Sequence, residues 1–410
     1  MRALECLSMD YLFRTWAMFA FQDPRTNFAP LKPRQVIETV DGDAKDFAAR
    51  KTPGEAQKTH ELMPYPATGT IGQRMAWVGE LYQSNTRFGD WVIGQPAHDR
   101  LQPYISSTPL TRLTHIKFAF YHLLGTCGSY LVFDMAASLN RNDPYFLDMD
   151  IPIWSSPPSF LARLPPSLSF FYSSRIGTVS LRALITAANG FGLILSAGQT
   201  IIVFALVLAA LGLLPSAMSP LRSQPMFGSP VHVLDSGLRG FWSKTWHQTM
   251  RFPASQFGRF VGKTVAGRED GMLYVFLFTV TAFTLTGAIH MGIVPPEPLY
   301  NTISPTAIRI WVLAFFVSQA FGVIIEDVVV KPIREGVRRQ CGSITAGRTA
   351  ARAVNVLWLI IWCTACLPLL AEPTRQLGYY QEYIIPFGIF RWSNKGLDWG
   401  WPQRSVNNKA

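Results

Sequence analysis

Charge is scarce in this chain: Asp, Glu, Lys and Arg make up 15% of its 410 residues, against about 25% in an ordinary soluble domain. With 49% hydrophobic residues and a mean hydropathy of +0.16, that shortage argues against a large soluble protein and for an integral membrane one. Cysteine is scarce too. Cys6, Cys127, Cys341, Cys363 and Cys366 form an odd, scattered set, which excludes a disulfide framework. Cys363 and Cys366 make a CxxC inside an apolar segment with no second pair, and this reads as core packing. The chain also lacks a Walker motif, GxSxG, HExxH and any metal-spaced Cys/His cluster, so no metal site is expected. It has no internal repeat, low-complexity tract or heptad pattern. Residues 1–21 lack the clean apolar core and cleavage site of a signal peptide.

Negative charge is the scarcer sign, leaving a net charge of +11. Such a balance can signal nucleic acid. Here, however, the basic residues cluster in loops beside apolar runs, a placement produced by the positive-inside rule and anionic lipid headgroups. The bilayer, not nucleic acid, is the expected partner.

The apolar runs are Phe118 to Leu139, Leu184 to Leu214, Met272 to Val294, Ala307 to Ile325 and Ala353 to Leu370. Each reads as a span of a core about 30 Å thick. Tyr11 to Phe21, Leu161 to Ser174 and Tyr379 to Phe390 are too short or too interrupted, and suit interfacial or re-entrant placement. The expected fold is an all-α polytopic transmembrane protein with about 5–8 membrane helices. Residues 1–112 read as an N-terminal polar, mainly cytosolic region, 113–395 as the transmembrane domain and 396–410 as a polar tail. Arg239, Lys244, Arg251, Arg259, Lys263 and Arg268 precede Met272, and Lys331, Arg334, Arg338, Arg339, Arg348 and Arg352 follow Ile325. Residues 295–306 between those spans hold no Lys or Arg. Both basic loops therefore belong on the cytosolic side, and Asp143, Asp148 and Asp150 on the far side.

Chemistry concentrates in two places. Along Gly240 to Lys263, Phe241, Trp242, Trp246, Met250, Phe257, Phe260 and Val261 recur at helical spacings among Lys244, Arg251, Arg259 and Lys263. This is the pattern of a basic amphipathic segment lying along the membrane surface. It suits a plain interfacial anchor, and equally a basic face that meets a phosphorylated donor. Arginine and lysine match diphosphate oxygens, and tryptophan can stack on an adenine ring. His247 sits in this segment. His290 ends a strongly apolar run, where an ionisable ring needs a reason, and an imidazole titrates near neutrality. Thr284 or Thr286 is placed to orient it, and Gly287 permits close helix approach. Glu326 and Asp327 end another span. Asp327 and Lys331 are four apart and suit a structural pair. His60, His98, His115, His122 and His232 read as structural.

At this point the sequence resembles the wax synthase domain of the membrane-bound O-acyltransferase superfamily, in its fungal biosynthetic branch. Pro225-Met226-Phe227-Gly228-Ser229-Pro230, followed by Ser236 to Arg251, resembles the family's "P-F-x-x-P … S-L-R-x-F-W-x-x-x-W-H-Q-x-x-R" element. Phe283 to His290 resembles "F-x-x-S-G-x-x-H", with Thr286 where Ser is usual. Phe315 to Asp327 resembles "F-F-x-x-Q-x-x-x-x-x-x-E-D". The core of the likeness is residues 225–330.

The resemblance implies that His290 is the active-site histidine and His247 the second polar residue of the site. Trp242, Trp246, Gln248 and Arg251 would contact substrate. It implies no bound cofactor, with acetyl-CoA or another acyl-CoA as co-substrate, a lipophilic alcohol as acceptor, and a multi-pass location in the endoplasmic reticulum membrane. The implied reaction is direct acyl transfer to a hydroxyl, with acetylation of a terpenoid or meroterpenoid favoured. Long-chain wax ester synthesis, a non-catalytic scaffold and a transporter stay open. Relatives of this branch begin with several more apolar helices, so a short variant and an incomplete N-terminus are both expectations. The topology also puts His290 late in its helix, nearer the far face than the loop bearing His247. A tilted helix or a funnel-shaped chamber would reconcile the two.

Overall fold

The computed structural model describes residues 2–21, 23–33, 60–84, 91–93, 109–158, 165–215, 218–222, 225–246, 248–269, 271–296, 303–380, 388–390, 392–393 and 396–397. In chain order the main elements are α1 (Arg2–Phe19), β1 (Phe28–Pro33), β2 (His60–Leu62), α2 (Ile71–Ser84), β3 (Trp91–Ile93), α3 (Arg112–Asn142) and α4 (Arg175–Ala210). There follow α5 (Val231–Gly240), α6 (Arg251–Ala266), α7 (Met272–His290), α8 (Pro305–Ile325), α9 (Lys331–Gln340), α10 (Ile344–Cys366) and α11 (Pro368–Gln376). The chain is an all-α membrane protein with a small strand element near its start.

Local chemistry sets the helix starts. Thr111, Ser174, Ser304 and Ser343 each stand just before a long helix and accept a hydrogen bond from a backbone N–H three residues on. Such caps satisfy one of the orphan donors of the first turn.

Among the described residues, four helical segments are long and apolar enough to cross a membrane: Arg175–Ala210, Met272–Ile293, Pro305–Gln340 and Ile344–Cys366. Phe118 to Leu139, the fifth expected span, is not among these four: it forms a helix, α3, in which His122 and Asp134 interrupt the apolar run. It packs lengthwise on α4, where a Cβ on Gly192 would lie 2.9 Å from the Phe133 nitrogen. Leu161 to Ser174 supplies only two short turns, Pro166–Leu168 and Phe170–Ser173, in its described part. Residues 381–387 of Tyr379 to Phe390 lie outside the described residues.

The connection from α3 to α4 is held by charge. Arg182 on α4 is 1% exposed and donates to both oxygens of Asp143 at 2.7 and 2.8 Å. Tyr145 lies between two guanidiniums, 4.8 Å from Arg182 and 4.6 Å from Arg375 of α11. Arg375 in turn donates to the carbonyls of Tyr145, Asp148, Met149 and Ile151. The acidic loop is thus a clamped structural element.

Near the start of the chain, the strands form an antiparallel sheet in the order β2-β1-β3. Phe28, Trp77, Leu81 and Trp91 bury against Ala17 and Met18 of α1 and against Phe252 of α6.

The segment Gly240 to Lys263 is not the single surface-lying helix its periodicity suggests. It breaks into the end of α5, a π-helical turn at Phe241–Thr245, a 3-10 turn at Gln248–Met250, and α6. Helix α6 lies antiparallel along α7, because Gly258 and Gly262 remove side chains from the contact. A Cβ on either would lie 2.7 Å from Phe278 or Tyr274 of α7. Small residues four apart are what lets two helix backbones approach closely.

Candidate active site

Three loops and helices converge here, and the first folds back on itself. The Gly228 N–H donates to Thr245 O at 2.9 Å, and the Gln248 N–H to Met226 O at 2.8 Å. A Cβ on Gly228 would fall 1.8 Å from Lys244 O, so only glycine lets these strands of chain cross. The Gln248 side chain donates to Trp246 O at 2.7 Å. Gln248 thereby ties the turn together.

The π-helical turn at Phe241–Thr245 presents Trp242 and Trp246 on one side. Trp246 packs against Phe191, Phe227 and Phe241 with ring centroids 4.7, 5.8 and 5.6 Å away. Trp242 stands edge-on to Phe283 of α7 at 5.5 Å and to Phe316 of α8 at 6.2 Å. Its indole N–H donates to Gln319 Oε1 at 3.3 Å, and the Gln319 amide donates to Cys366 Sγ at 3.1 Å. Gln319 is thereby the buried bracket that fixes the indole.

His290 ends α7. Its Nδ1 lies 2.7 Å from the Thr286 carbonyl oxygen, an acceptor only, so Nδ1 carries the proton and Nε2 the lone pair. Nε2 has no hydrogen-bond partner among the described residues. The ring lies against Phe316 at 4.3 Å. The hydroxyl of Thr286 donates to Ala282 O at 2.8 Å; it is the Thr286 carbonyl, not a threonine hydroxyl, that orients the ring.

A cavity of about 320 Å³ opens between α6, α7 and the π-helical turn, a size within the ordinary range of ligand pockets. Trp242, Trp246, Met250, Arg251, Arg259, Thr279, Phe283 and Thr286 are among the side chains that line it. Thr279, Phe283 and Thr286 form one stripe along α7, and His290 is the next position on it. The cavity wall thus runs from Arg251 and Arg259 to Thr286, and His290 stands one helical turn beyond this lining. Since α6 is antiparallel to α7, its first turn lies beside the half of α7 that ends in His290.

Three of the expected substrate-contacting residues, Trp242, Trp246 and Arg251, line this one cavity. His247 lies outside the described residues. Desolvation, and then the like charge of Arg259, push the Arg251 guanidinium below its ordinary range, an environment that an anion would relieve. Arg239 also lines the cavity but is paired with Asp327 at 2.7 Å. That pair corrects the expected Asp327–Lys331 contact. Glu326–Val330 is a π-helical turn, so residues four apart there do not stack as on an α-helix.

Sequence reasoning missed Phe316 and Gln319 as parts of the site's frame, although both stand inside the third family element. It read only the weak apolar run Tyr11 to Phe21 in the region of α1, and gave no role to Asp10 and Arg14, four residues apart on that helix.

The sequence profile of the membrane bound O-acyl transferase family matches residues 223–318, the interval that contains the π-helical turn, the cavity and His290. This interval is similar to the membrane-bound O-acyltransferases. The chain is similar to Acetyltransferase nanB of Aspergillus nanangensis, 26% identical over 266 residues, 64% of this chain and 57% of that protein. It is also similar to Acetyltransferase atnC of Arthrinium sp, 23% identical over 189 residues, 44% of this chain and 40% of that protein. Acetyltransferase TRI7 of Fusarium sporotrichioides is 24% identical over 190 residues, again 44% and 40%. The chain therefore spans about half the length of these relatives. No solved structure matches it. The fold brings together all three sequence elements of the likeness, since Phe316 touches both His290 and Trp242.

Proposed function

We propose that this chain is an O-acyltransferase that moves an acetyl group from acetyl-CoA to a hydroxyl of a terpenoid or meroterpenoid at the endoplasmic reticulum membrane. The observation that carries this reading is the state of His290: Nδ1–H bonded to Thr286 O, Nε2 left as the lone-pair nitrogen, at the end of a stripe that lines an aromatic, arginine-edged cavity. The printed names of the relatives support the acetyl group.

In this mechanism, Nε2 of His290 takes the proton of the acceptor hydroxyl as its oxygen attacks the thioester carbonyl. The tetrahedral intermediate collapses and the C–S bond breaks. The CoA thiolate leaves and recovers that proton from the imidazolium, so no acyl-enzyme forms. General-base assistance of this kind is worth about 10²–10⁴ in rate. His247 stabilises the oxyanion in this reading, Trp242 and Trp246 face the donor's flat groups, and Arg251 and Arg259 take its phosphates.

The test is a microsomal assay with labelled acetyl-CoA against a panel of terpenoid and fatty alcohols, comparing wild type with His290→Ala. Acetyl transfer to a terpenoid that disappears in the variant, at equal protein level, is the expected result. Undiminished turnover in His290→Ala removes the histidine from the reaction. Preferential use of a fatty alcohol with long-chain acyl-CoA reassigns the substrates to wax ester synthesis.

A further inference from the structure

Helix α1 lies outside the family-matched interval, yet it packs against the site. Phe13, Trp16 and Phe21 meet Phe257 of α6 edge-on at 5.6, 5.4 and 4.7 Å, and Phe21 also meets Phe260. Helix α1 therefore runs alongside α6 in the same direction, and its earlier residues fall at the His290 end. There it contacts the turn Met291–Ile293 that directly follows His290.

At that level α1 carries a buried ion pair. The Arg14 side chain is 2% exposed, and its Nε donates to Asp10 Oδ2 at 2.7 Å. Its Nη2 lies 3.6 Å from the sulfur of Met250, a cavity-lining residue. Arg14 Nη1 and Asp10 Oδ1 are buried with no partner among the described residues. Taking each ion out of water costs several kcal/mol, and well-packed apolar residues commonly replace such a pair without loss of stability. Stability alone does not explain an incompletely satisfied pair here.

Charged side chains at this end of the bundle include Asp10 and Arg14 of α1, Arg251 of α6 and Arg309 of α8, whose Nη2 donates to Val294 O at 3.1 Å. Asp10 is the carboxylate among these, on the helix packed against the turn that follows His290. A ring that gains a proton among three cations needs a compensating carboxylate. We propose that Asp10 is a positioning residue for His290, its carboxylate stabilising the positive charge taken up with the substrate proton, and that Arg14 holds this carboxylate in place. The site is then completed by a helix far from the catalytic segment in sequence. This inference rests on the reading of His290 as the base.

The test needs no substrate. The full chain in detergent micelles is treated with diethyl pyrocarbonate, which ethoxyformylates the unprotonated imidazole, and the His290 peptide is quantified by mass spectrometry at pH 6 and pH 8. The ratio of the two rates reports protonation and cancels differences in access. In Asp10→Asn the pH 6 to pH 8 ratio rises above the wild-type value, while Asp10→Glu keeps the wild-type ratio. An unchanged ratio in Asp10→Asn overturns the proposal. Asp10→Leu with Arg14→Met removes the pair and leaves apolar packing, so it guards against a simple folding failure. Its kcat falls at least tenfold with KM for acetyl-CoA within twofold, and wild-type kcat in that variant likewise overturns the proposal. Full turnover in His290→Ala would instead sink the base assignment, while the modification ratio still reports whether Asp10 governs the ring.

Discussion

Glu326 accepts hydrogen bonds from the backbone N–H groups of both Leu238 and Arg239, at 2.9 and 2.7 Å, at the point where Gly237 kinks α5 (φ 59°, ψ −139°). A Cβ on Gly237 would lie 1.8 Å from Glu326 Oε1. Two sequence elements that are about 90 residues apart thus form one joint. The joint sets the angle at which the chain enters the π-helical turn carrying Trp242. Asn355 of α10 closes it, donating to Leu234 O and accepting from Arg334 at 2.7 and 3.1 Å.

Gly237→Ala will be among the most damaging small substitutions in the chain. It combines a left-handed backbone with a direct clash, and such strain costs about 1–3 kcal/mol before the clash is counted. Glu326→Gln keeps the shape but weakens two charge-assisted hydrogen bonds and turns one oxygen into a donor facing N–H groups, at a cost of about 1–3 kcal/mol. Thermal unfolding in detergent should show a lowered midpoint for Glu326→Gln and poor accumulation for Gly237→Ala. A wild-type midpoint for both would contradict this account.

The joint also marks what the sequence discloses. Long apolar runs with Ser or Thr just before them are read directly as capped spans, because burial in lipid and backbone hydrogen bonding both act locally. The three family elements point to His290, Trp242 and Trp246; the two tryptophans line one cavity, and His290 stands a helical turn beyond its lining. Along Gly240 to Lys263 periodicity alone does not tell an aromatic that packs on a neighbouring helix from one that meets the bilayer. Here Trp242 meets Phe283 of α7, Phe257 meets α1 and Trp246 packs on Phe191 of α4, and the glycines at 258 and 262 are the sign of close packing. The Asp10–Arg14 pair stayed hidden for a different reason. A spacing of four reads equally as a solvated pair, and only the tertiary contact of α1 with the end of α7 makes it part of a site.

Gln319 offers a clean separation of positioning from stability. Gln319→Leu conserves most of the volume and removes the acceptor of the Trp242 indole N–H. The indole loses its fixed orientation over the cavity, and kcat/KM for acetyl transfer should drop about tenfold, the scale of one neutral hydrogen bond. Trp242→Phe should lose a similar amount, and the double variant little more, because both changes break the same contact. Strictly additive losses would show that Gln319 acts elsewhere.

Arg251 and Arg259 should govern donor binding. Each single change to Ala should raise KM for acetyl-CoA several-fold, with kcat little changed, as for an interaction made equally in ground and transition states. The wild-type KM should rise with salt, and rise less steeply in the variants, since screened charges contribute less. Equal salt dependence in wild type and variants would place the diphosphate away from this edge of the cavity.

The clamp around Tyr145 makes a prediction in pH. Burial, and then the charge of Glu372, push the Tyr145 phenol above its ordinary range near 10, and its hydroxyl donates to Glu372 at 3.1 Å. A phenol whose folded value is raised stays neutral when the unfolded chain has begun to ionise. Its contribution to stability is complete below about pH 10 and declines as the pH rises further. Alkaline unfolding should therefore steepen above pH 10. Tyr145→Phe cannot ionise, so its stability should be lower than wild type at pH 8, by about 1 kcal/mol for the lost hydrogen bond, and should fall less steeply on the alkaline side. The two unfolding curves should converge or cross as pH rises. Parallel alkaline limbs would mean that the neighbouring buried phenol of Tyr380, which burial also raises, carries the effect in place of Tyr145.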